Sequence, residues 1–190
     1  MAFLRRLLPA ALLGLVALPL ALPAAVRAQA AASEQDVKAA FLFNFTKFVE
    51  WPSAAFSDDG GALQLCVFGD NLVGKSLEAV AGEEVGGHRL AVRRVEDPGK
   101  LAGCHVLFVD PSESVDRTSQ VLSSLRGEPV LTVGDNRGFL DRGGIINFVL
   151  EGTKVRFEIN QDAAERAGLK ISSKLLRLAV RLTPGTKPGP

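Results

Sequence analysis

Short apolar runs alternate with helical segments along this chain of 190 residues, and this alternation constrains the fold more than any other feature. Val106–Val109 is apolar throughout, which is typical of a strand buried on both faces of a parallel sheet. Residues 130–133 predict a second buried strand, and residues 114–125 predict a helix between the two. Strands that alternate with helices indicate an α/β fold in which helices cover both faces of the sheet.

Two strand-like runs near the C-terminus, residues 145–150 and 153–159, flank Glu151-Gly152 and predict an antiparallel hairpin. The expected architecture is a three-layer α/β sandwich with a mostly parallel sheet and this antiparallel C-terminal hairpin at one edge. The other predicted strands are Leu63–Phe68 and residues 89–95, and the other predicted helices are residues 33–52, 73–81, 162–167 and 172–182.

The first predicted helix begins at a capping box, with Ser33 as the N-cap and Asp36 at the third helical position, and ends at Trp51-Pro52. Phe41, Phe45 and Phe48 recur at helical spacing, and other apolar residues cover most of the remaining circumference. Such a helix is either deeply buried or covers a partner as well as its own core.

The N-terminus has the pattern of a cleaved signal peptide. Arg5 and Arg6 precede an apolar stretch over residues 7–25, and small residues around Ala28 offer a cleavage site. We therefore expect a signal peptide at residues 1–28, a domain at 29–182, a flexible tail at 183–190 and a periplasmic location. The alternative is an uncleaved membrane anchor, since the apolar stretch is about long enough to span a bilayer. The full chain has a formal charge of +1, so no basic excess indicates a nucleic-acid partner.

Cys66 and Cys104 are the two cysteines of the chain. In an exported protein a disulfide is the default, and two free buried thiols are the alternative. Each cysteine lies in a strand-like run, so a bond between them predicts that these strands are neighbours. Closing a loop of about 40 residues would stabilise the fold by roughly 3–4 kcal/mol.

Residues 69–76 fit the phosphate-loop pattern GxxxxGKS, between a predicted strand and a predicted helix. This motif favours a nucleotide hydrolase, but export places the chain where little ATP is present. Leu72 and Val73 are bulky for such a loop, and Gly82 interrupts the helix that follows. We therefore interpret the match as coincidental and retain a P-loop NTPase only as an alternative.

Other chemistry is sparse, and we expect no catalytic residue, metal ligand or cofactor. His88 is interpreted as a surface residue and His105 as a structural one, because neither has the spacing of a metal site or a catalytic triad. A second alternative is a small-ligand-binding module, with a ligand at the carboxyl ends of the strands near residues 69–71 and 134–136.

Four segments together resemble the YfiR-like family of periplasmic proteins, over about residues 34–180. The segments are residues 37–52, residues 65–70, residues 103–109, and residues 143–160 with 175–179. The first and last of these are the specific ones.

The resemblance implies a regulatory function without catalysis. It implies that the protein binds the periplasmic part of an inner-membrane diguanylate cyclase and represses it, which lowers cyclic di-GMP and biofilm formation. It also implies an outer-membrane peptidoglycan-binding lipoprotein as a further partner, and a homodimer. Cys66 and Cys104 resemble one of the two disulfides of better-known members, and the second pair is missing here.

A binding module needs an adhesive face on a stable scaffold. The candidate partner-binding residues are Asn147, Arg156, Glu158, Asn160 and Arg177, on the hairpin and the last predicted helix. The candidate dimer surface is Phe41, Phe45 and Phe48. An ordinary solvated strand face is the alternative for Arg156 and Glu158.

Overall fold

The structure is a computed structural model that describes residues 32–56, 61–69 and 72–183. The helices are α1 Glu34–Lys47, α2 Leu72–Leu77, α3 Val115–Ser124, α4 Gln161–Arg166 and α5 Ser173–Leu176. The strands are β1 Val49–Glu50, β2 Leu63–Phe68, β3 Glu84–Val85, β4 His88–Val95, β5 Val106–Val109, β6 Leu131–Gly134, β7 Ile146–Glu151, β8 Lys154–Asn160, β9 Lys170–Ile171 and β10 Arg181–Thr183. The predicted signal peptide and residues 184–190 of the predicted tail lie outside the described residues.

One sheet organises the domain, with strand order β10-β8-β7-β6-β5-β2-β4-β3. The strand pairs β7–β6, β6–β5, β5–β2 and β2–β4 are parallel, as the apolar runs predict. β7 and β8 form the predicted antiparallel hairpin. β10 lies outside the hairpin and pairs with β8 in parallel. The mostly parallel sheet and the C-terminal hairpin are therefore confirmed, with one further strand at that edge.

Alternating side chains of each central strand enter two separate cores. In β2, Leu65 and Val67 belong to the core beneath α1, whereas Cys66 and Phe68 belong to the core beneath α3. β5 divides in the same way, because Phe108 joins the first core and the residues on either side join the second. Helices thus cover both faces of the sheet, and the predicted three-layer α/β sandwich is confirmed.

Helix α1 starts as predicted but ends earlier. The Ser33 hydroxyl accepts from the Asp36 backbone N–H at 3.2 Å, and the Asp36 carboxylate accepts from the Ser33 N–H at 3.0 Å, which confirms the capping box. The helix stops at Lys47, not at Trp51-Pro52, because Val49–Glu50 pairs antiparallel with Lys170–Ile171. A long-range strand pairing therefore overrides the local helical pattern.

The predicted helix over residues 172–182 is wrong in its second half. Helix α5 has only four residues, and the chain then extends alongside β8. The Val180 N–H donates to the Phe157 carbonyl at 3.0 Å, and Arg181 lies opposite Glu158 in the β8–β10 register. The hairpin turn is also one residue later than predicted, since Glu151 pairs with Lys154 and the turn is Gly152-Thr153. Gly152 has φ +61°, a value that favours glycine.

The loop between β6 and β7 is packed around one aromatic ring. Phe139 is fully buried, and a Cβ added at either Gly134 or Gly144 would overlap its ring. Only glycine leaves room for Phe139 at these two positions, so the two glycines determine how the loop enters β7.

Candidate functional site

Apolar side chains are exposed at the edge of the sheet that β10 forms. Leu178, Val180 and Leu182 are 63%, 43% and 41% exposed. Leu178 lies in the turn after α5, and Val180 and Leu182 follow as the chain enters β10. Leu182 lies opposite Ile159 in β8, so its side chain is on the face of the sheet that α1 covers further along. We call residues 177–183 together with the neighbouring strand β8 the C-terminal edge.

The backbone of β10 is paired on one side only. β8 is its neighbour, and no other described strand pairs with it. An edge strand presents N–H and C=O groups that can pair with a strand of another chain. Contiguous apolar patches on the surface of a monomer are usually small. Several exposed apolar side chains beside an open strand edge therefore indicate an interaction surface.

Glu158 and Arg181 form a two-pronged ion pair across β8 and β10. The Arg181 Nε and Nη2 atoms donate to the Glu158 carboxylate at 2.9 and 2.7 Å. The Glu158 side chain is only 17% exposed, and its hydrogen bonds raise the pKa of Arg181 above the ordinary value. Glu158, predicted to face solvent on an open strand, is instead largely covered, because β10 lies beside it.

Arg156 and Arg177 lie at the surface of the C-terminal edge. The Arg156 guanidinium is 3.5 Å from a Glu151 carboxylate oxygen, and Arg177 is exposed at the end of α5. With exposed Lys154 and Lys174 nearby in the chain, they give this edge a basic character. The structure therefore brings Arg156, Glu158 and Arg177 to one edge of the molecule.

Asn147 and Asn160 do not belong to an adhesive face, contrary to the prediction, because both are buried. The Asn160 Oδ1 atom accepts from the Ala163 N–H at 3.0 Å and caps α4, while its Nδ2 donates to the Leu140 carbonyl at 3.2 Å. The Asn147 Oδ1 accepts from the Asn136 N–H at 3.2 Å. Their polar atoms satisfy backbone groups of the fold.

Phe45 is part of the core and not of a dimer surface. Its side chain is 0% exposed, and its ring lies 5.0 Å from that of Phe157, centroid to centroid. Phe41 is half-buried, 5.5 Å from Phe157, and Phe48 is half-buried against the same core. Of the three predicted dimer residues, Phe45 is therefore excluded, and Phe41 and Phe48 retain accessible surface.

The disulfide between Cys66 and Cys104 is present, and the predicted neighbourhood of their strands is confirmed. Cys66 lies in β2, and Cys104 precedes β5, which pairs with β2. The Arg93 guanidinium donates to the Cys104 Sγ atom at 3.3 Å and to the Ala102 carbonyl at 2.8 Å. Arg93 therefore holds the loop that carries the second cysteine.

The GxxxxGKS segment does not form a phosphate loop over its described part. Helix α2 begins at Leu72, so Gly74, Lys75 and Ser76 lie inside a six-residue helix and not in a loop before it. The Ser76 hydroxyl donates to the Asp36 carboxylate at 2.8 Å, and hydrogen bonds from Ser33 and Ser76 lower the pKa of Asp36. Asp70 and Asn71 lie outside the described residues.

A lysine occupies the carboxyl end of β6, where the ligand-binding alternative placed a small molecule. Buried Lys38 forms ion pairs with Glu34 and Asp135. Burial alone would lower the pKa of Lys38, but the hydrogen bonds and charges of both carboxylates raise it overall. Burial raises the pKa of Asp135, and Lys38 opposes that shift. The contacts of Lys38 connect α1 to the sheet.

His105 has the structural role that was predicted. Its Nδ1 accepts from the Gln64 N–H at 3.0 Å, so its Nε2 carries the proton and donates to the Ala55 carbonyl at 3.0 Å. Burial lowers the pKa of His105. The Phe56 ring stacks between His105 and His88, with centroid distances of 4.5 and 3.8 Å. His88 is thus half-buried and not simply a surface residue.

Within residues 32–56, 61–69 and 72–183, no group of three or more histidine, cysteine, aspartate or glutamate residues could hold a metal ion. No helix in the same ranges has both the length and the apolar character that a membrane span requires.

Sequence reasoning missed the exposed edge strand. The signal was the period-two alternation of Leu178, Val180 and Leu182, but the apolar Leu175 and Leu176 just before them favoured a continuous helix.

Solved structures of other proteins are similar to this chain. A solved structure of a conserved domain protein from Vibrio cholerae O1 biovar eltor matches with a TM-score of 0.54 and 11% identity, over 80% of this chain and 60% of that one. The ABC domain in complex with L-Trp from Streptococcus pneumonia matches with a TM-score of 0.44 and 12% identity, over 63% of this chain and 55% of that one. The first likeness concerns the fold alone, and this chain spans less than two thirds of either structure.

A family model described as YfiR/HmsC-like matches residues 35–180, which include nearly all of the described domain. Proteins of this family are regulators with a periplasmic role in cyclic di-GMP signalling, and they are not enzymes. The chain belongs to the YfiR/HmsC-like family.

Proposed function

We propose that this protein binds the periplasmic part of an inner-membrane diguanylate cyclase through its C-terminal edge and represses the enzyme. Cyclic di-GMP and biofilm formation then fall. The observation that carries this proposal is the exposure of Leu178, Val180 and Leu182, which lie just before and within the open edge strand β10. The family supplies the signalling context, and the edge supplies a surface suited to a protein partner.

The chemistry of the C-terminal edge favours strand addition by the partner. A partner strand beside β10 would pair with its outward backbone groups, and alternate apolar side chains of that strand would cover the leucines and the valine. Exposed Arg177 and half-exposed Arg156 would favour acidic residues at the rim of the partner. Such a surface gives affinity through apolar burial and selectivity through charge.

The proposal requires export. Residues 1–28 would be the signal peptide, and the mature protein would comprise the domain and the tail after it, with the boundary at 183/184 because Thr183 belongs to β10. A disulfide between Cys66 and Cys104 is consistent with an oxidising compartment such as the periplasm.

Two further assemblies belong to the same proposal. An outer-membrane peptidoglycan-binding lipoprotein would sequester the protein and release the cyclase. The resting state would be a homodimer, for which Phe41 and Phe48 remain candidate contact residues because their side chains are partly accessible.

The experiment is site-specific photo-crosslinking in the native host. A photoreactive residue at position 180 should yield an adduct with a membrane protein whose mass-spectrometric identification shows a diguanylate cyclase domain. The same residue at position 115 is the control, since Val115 is 58% exposed but lies on α3, which covers the opposite face of the sheet from α1. Equal adducts at both positions, or a cyclase adduct only at 115, would remove the C-terminal edge from the proposal.

A further inference from the structure

The ladder between β6 and β7 is short. The two strands pair only at Val133 with Ile146 and at Gly134 with Asn147, near the carboxyl end of β6. Immediately before these pairs, the Ile145 N–H donates to the Thr132 hydroxyl at 3.1 Å. A side chain thus bridges a seam where the regular ladder of the sheet stops.

A cavity of about 310 Å³ lies over this seam, between α3, α4 and the loop at residues 141–143. Its volume is at the lower end of the range for small-molecule sites. Five of its lining residues are apolar and buried, and both cores contribute to them. The buried apolar lining residues are Leu122, Val130, Ile145, Ala163 and Ala167.

The charged residues of the cavity are mostly arginines. Arg126, Arg142 and Arg166 line it, and Asp141 is the one acidic residue among the lining residues. The Arg142 Nη1 atom donates to the Arg137 carbonyl at 2.8 Å, which fixes its direction, whereas Arg126 and Arg166 are exposed. Asp141 also acts electrostatically on Arg181, outside the cavity. The lining is therefore positively charged.

We propose that this cavity binds a small molecule that carries an oxyanion, either carboxylate or phosphate, on an apolar body. Guanidinium groups bind both oxyanions through paired, charge-assisted hydrogen bonds. A bare inorganic anion would make no apolar contact with the buried lining residues. An uncharged apolar molecule would accept no charge-assisted hydrogen bond from the arginines. The two features together define the ligand class, and the cavity lies at the amino ends of β6 and β7.

Binding is tested on the mature protein with four probes, by NMR chemical-shift perturbation and calorimetry. Phenyl phosphate and phenylacetate combine both features, inorganic phosphate carries the charge alone, and benzyl alcohol carries the apolar body alone. We expect phenyl phosphate or phenylacetate to bind at least about tenfold more tightly than either single-feature probe, since only these two combine charge-assisted hydrogen bonds with apolar burial. Shifts should centre on Ile145, Ala163 and Ala167.

The double variant Arg126→Glu/Arg166→Glu should weaken that binding at least about tenfold while it keeps the melting temperature of the wild type, because both side chains are exposed. The control Lys75→Glu/Arg89→Glu makes the same charge change at exposed positions outside the cavity and should bind as the wild type does. Tighter binding of phenyl phosphate than of phenylacetate would identify phosphate as the preferred oxyanion, and the reverse order would identify carboxylate. Equal weakening in both double variants, shifts elsewhere, or no binding of either two-feature probe at millimolar concentration would overturn the proposal.

Discussion

The carboxylate of Glu158 accepts two hydrogen bonds from the guanidinium of Arg181, at 2.7 and 2.9 Å, across neighbouring strands. This pair connects β10 to β8 between Val180 and Leu182, which with Leu178 form the apolar row of the C-terminal edge. The contribution of one partly exposed ion pair to global stability is small. Its importance lies in the alignment of β10, which presents Val180 and Leu182.

Glu158→Arg should therefore weaken binding of the cyclase without unfolding the protein. The substitution places two arginines opposite each other and detaches β10, while the free energy of unfolding should fall by no more than about 1 kcal/mol. Affinity for the purified periplasmic part of the cyclase, measured by surface biosensing, should fall at least about tenfold, since the apolar row is no longer held in place.

The charge-swapped protein Glu158→Arg/Arg181→Glu is the matched control, because it restores an opposite-charge pair at the same two positions. It should recover most of the affinity. Wild-type affinity in the single variant would show that the alignment of β10 is not needed for binding.

Reduction of the disulfide should destabilise the domain. The bond between Cys66 and Cys104 closes a long loop, and its loss should lower the free energy of unfolding by roughly 3–4 kcal/mol through the entropy of the unfolded chain. Urea denaturation with and without dithiothreitol measures the difference. The variant Cys66→Ala/Cys104→Ala should be insensitive to the reductant, and a wild type with the same midpoint in both conditions would contradict a structural role.

Acidification should destabilise the fold through His105. Burial holds the pKa of this imidazole below its ordinary value of about 6.5, and the charge of His88 acts in the same direction against the opposing hydrogen bond to Ala55. The unfolded chain therefore takes up the proton at a higher pH than the folded chain does. The associated stability is fully present above about pH 6.5 and is lost as the pH falls towards the folded pKa, by at most about 1.4 kcal/mol per pH unit.

Urea midpoints at pH 7.5 and pH 5.5 test this dependence in the wild type and in His105→Asn. The asparagine Oδ1 can replace Nδ1 as the acceptor for the Gln64 N–H but does not titrate. The wild type should lose more stability than the variant between the two pH values. Parallel losses would show that other groups cause the acid sensitivity.

Gly144→Ala should destabilise the domain by about 1–3 kcal/mol, the usual cost of overpacking. The added Cβ overlaps the ring of buried Phe139, which is confined by Gly134 on its other side. A double-mutant cycle with Phe139→Leu measures the coupling, because the smaller side chain leaves room for the methyl group. Additive losses in the cycle would mean that Phe139 is not the source of the strain.

The buried parts of this fold could be predicted from the sequence. The run Val106–Val109 is apolar throughout and predicts a strand buried on both faces, whereas the alternation of Val155 and Phe157 predicts a strand with one buried face. The capping box at Ser33 and Asp36 was equally clear, because both partners are local in the chain.

The elements that depend on distant partners could not be predicted. Val49–Glu50 and Arg181–Thr183 become strands only because Lys170–Ile171 and β8 offer backbone groups to pair with. Asn147 and Asn160 were assigned to an exposed face because a polar residue in a hairpin usually faces solvent, whereas here they bind backbone groups of a loop and a helix. The candidate edge thus came partly from the sequence and partly from the pairing of β10.

The central claim is that the C-terminal edge represses a cyclase, and cellular cyclic di-GMP in the native host tests it most directly. The gene would be deleted and then restored as the wild type, as Leu178→Asp/Leu182→Asp, or as the control Val115→Asp, with periplasmic protein levels matched. We predict that deletion raises cyclic di-GMP and that the wild type and Val115→Asp reverse the rise, whereas Leu178→Asp/Leu182→Asp does not. No rise on deletion, or full reversal by Leu178→Asp/Leu182→Asp, would contradict the account.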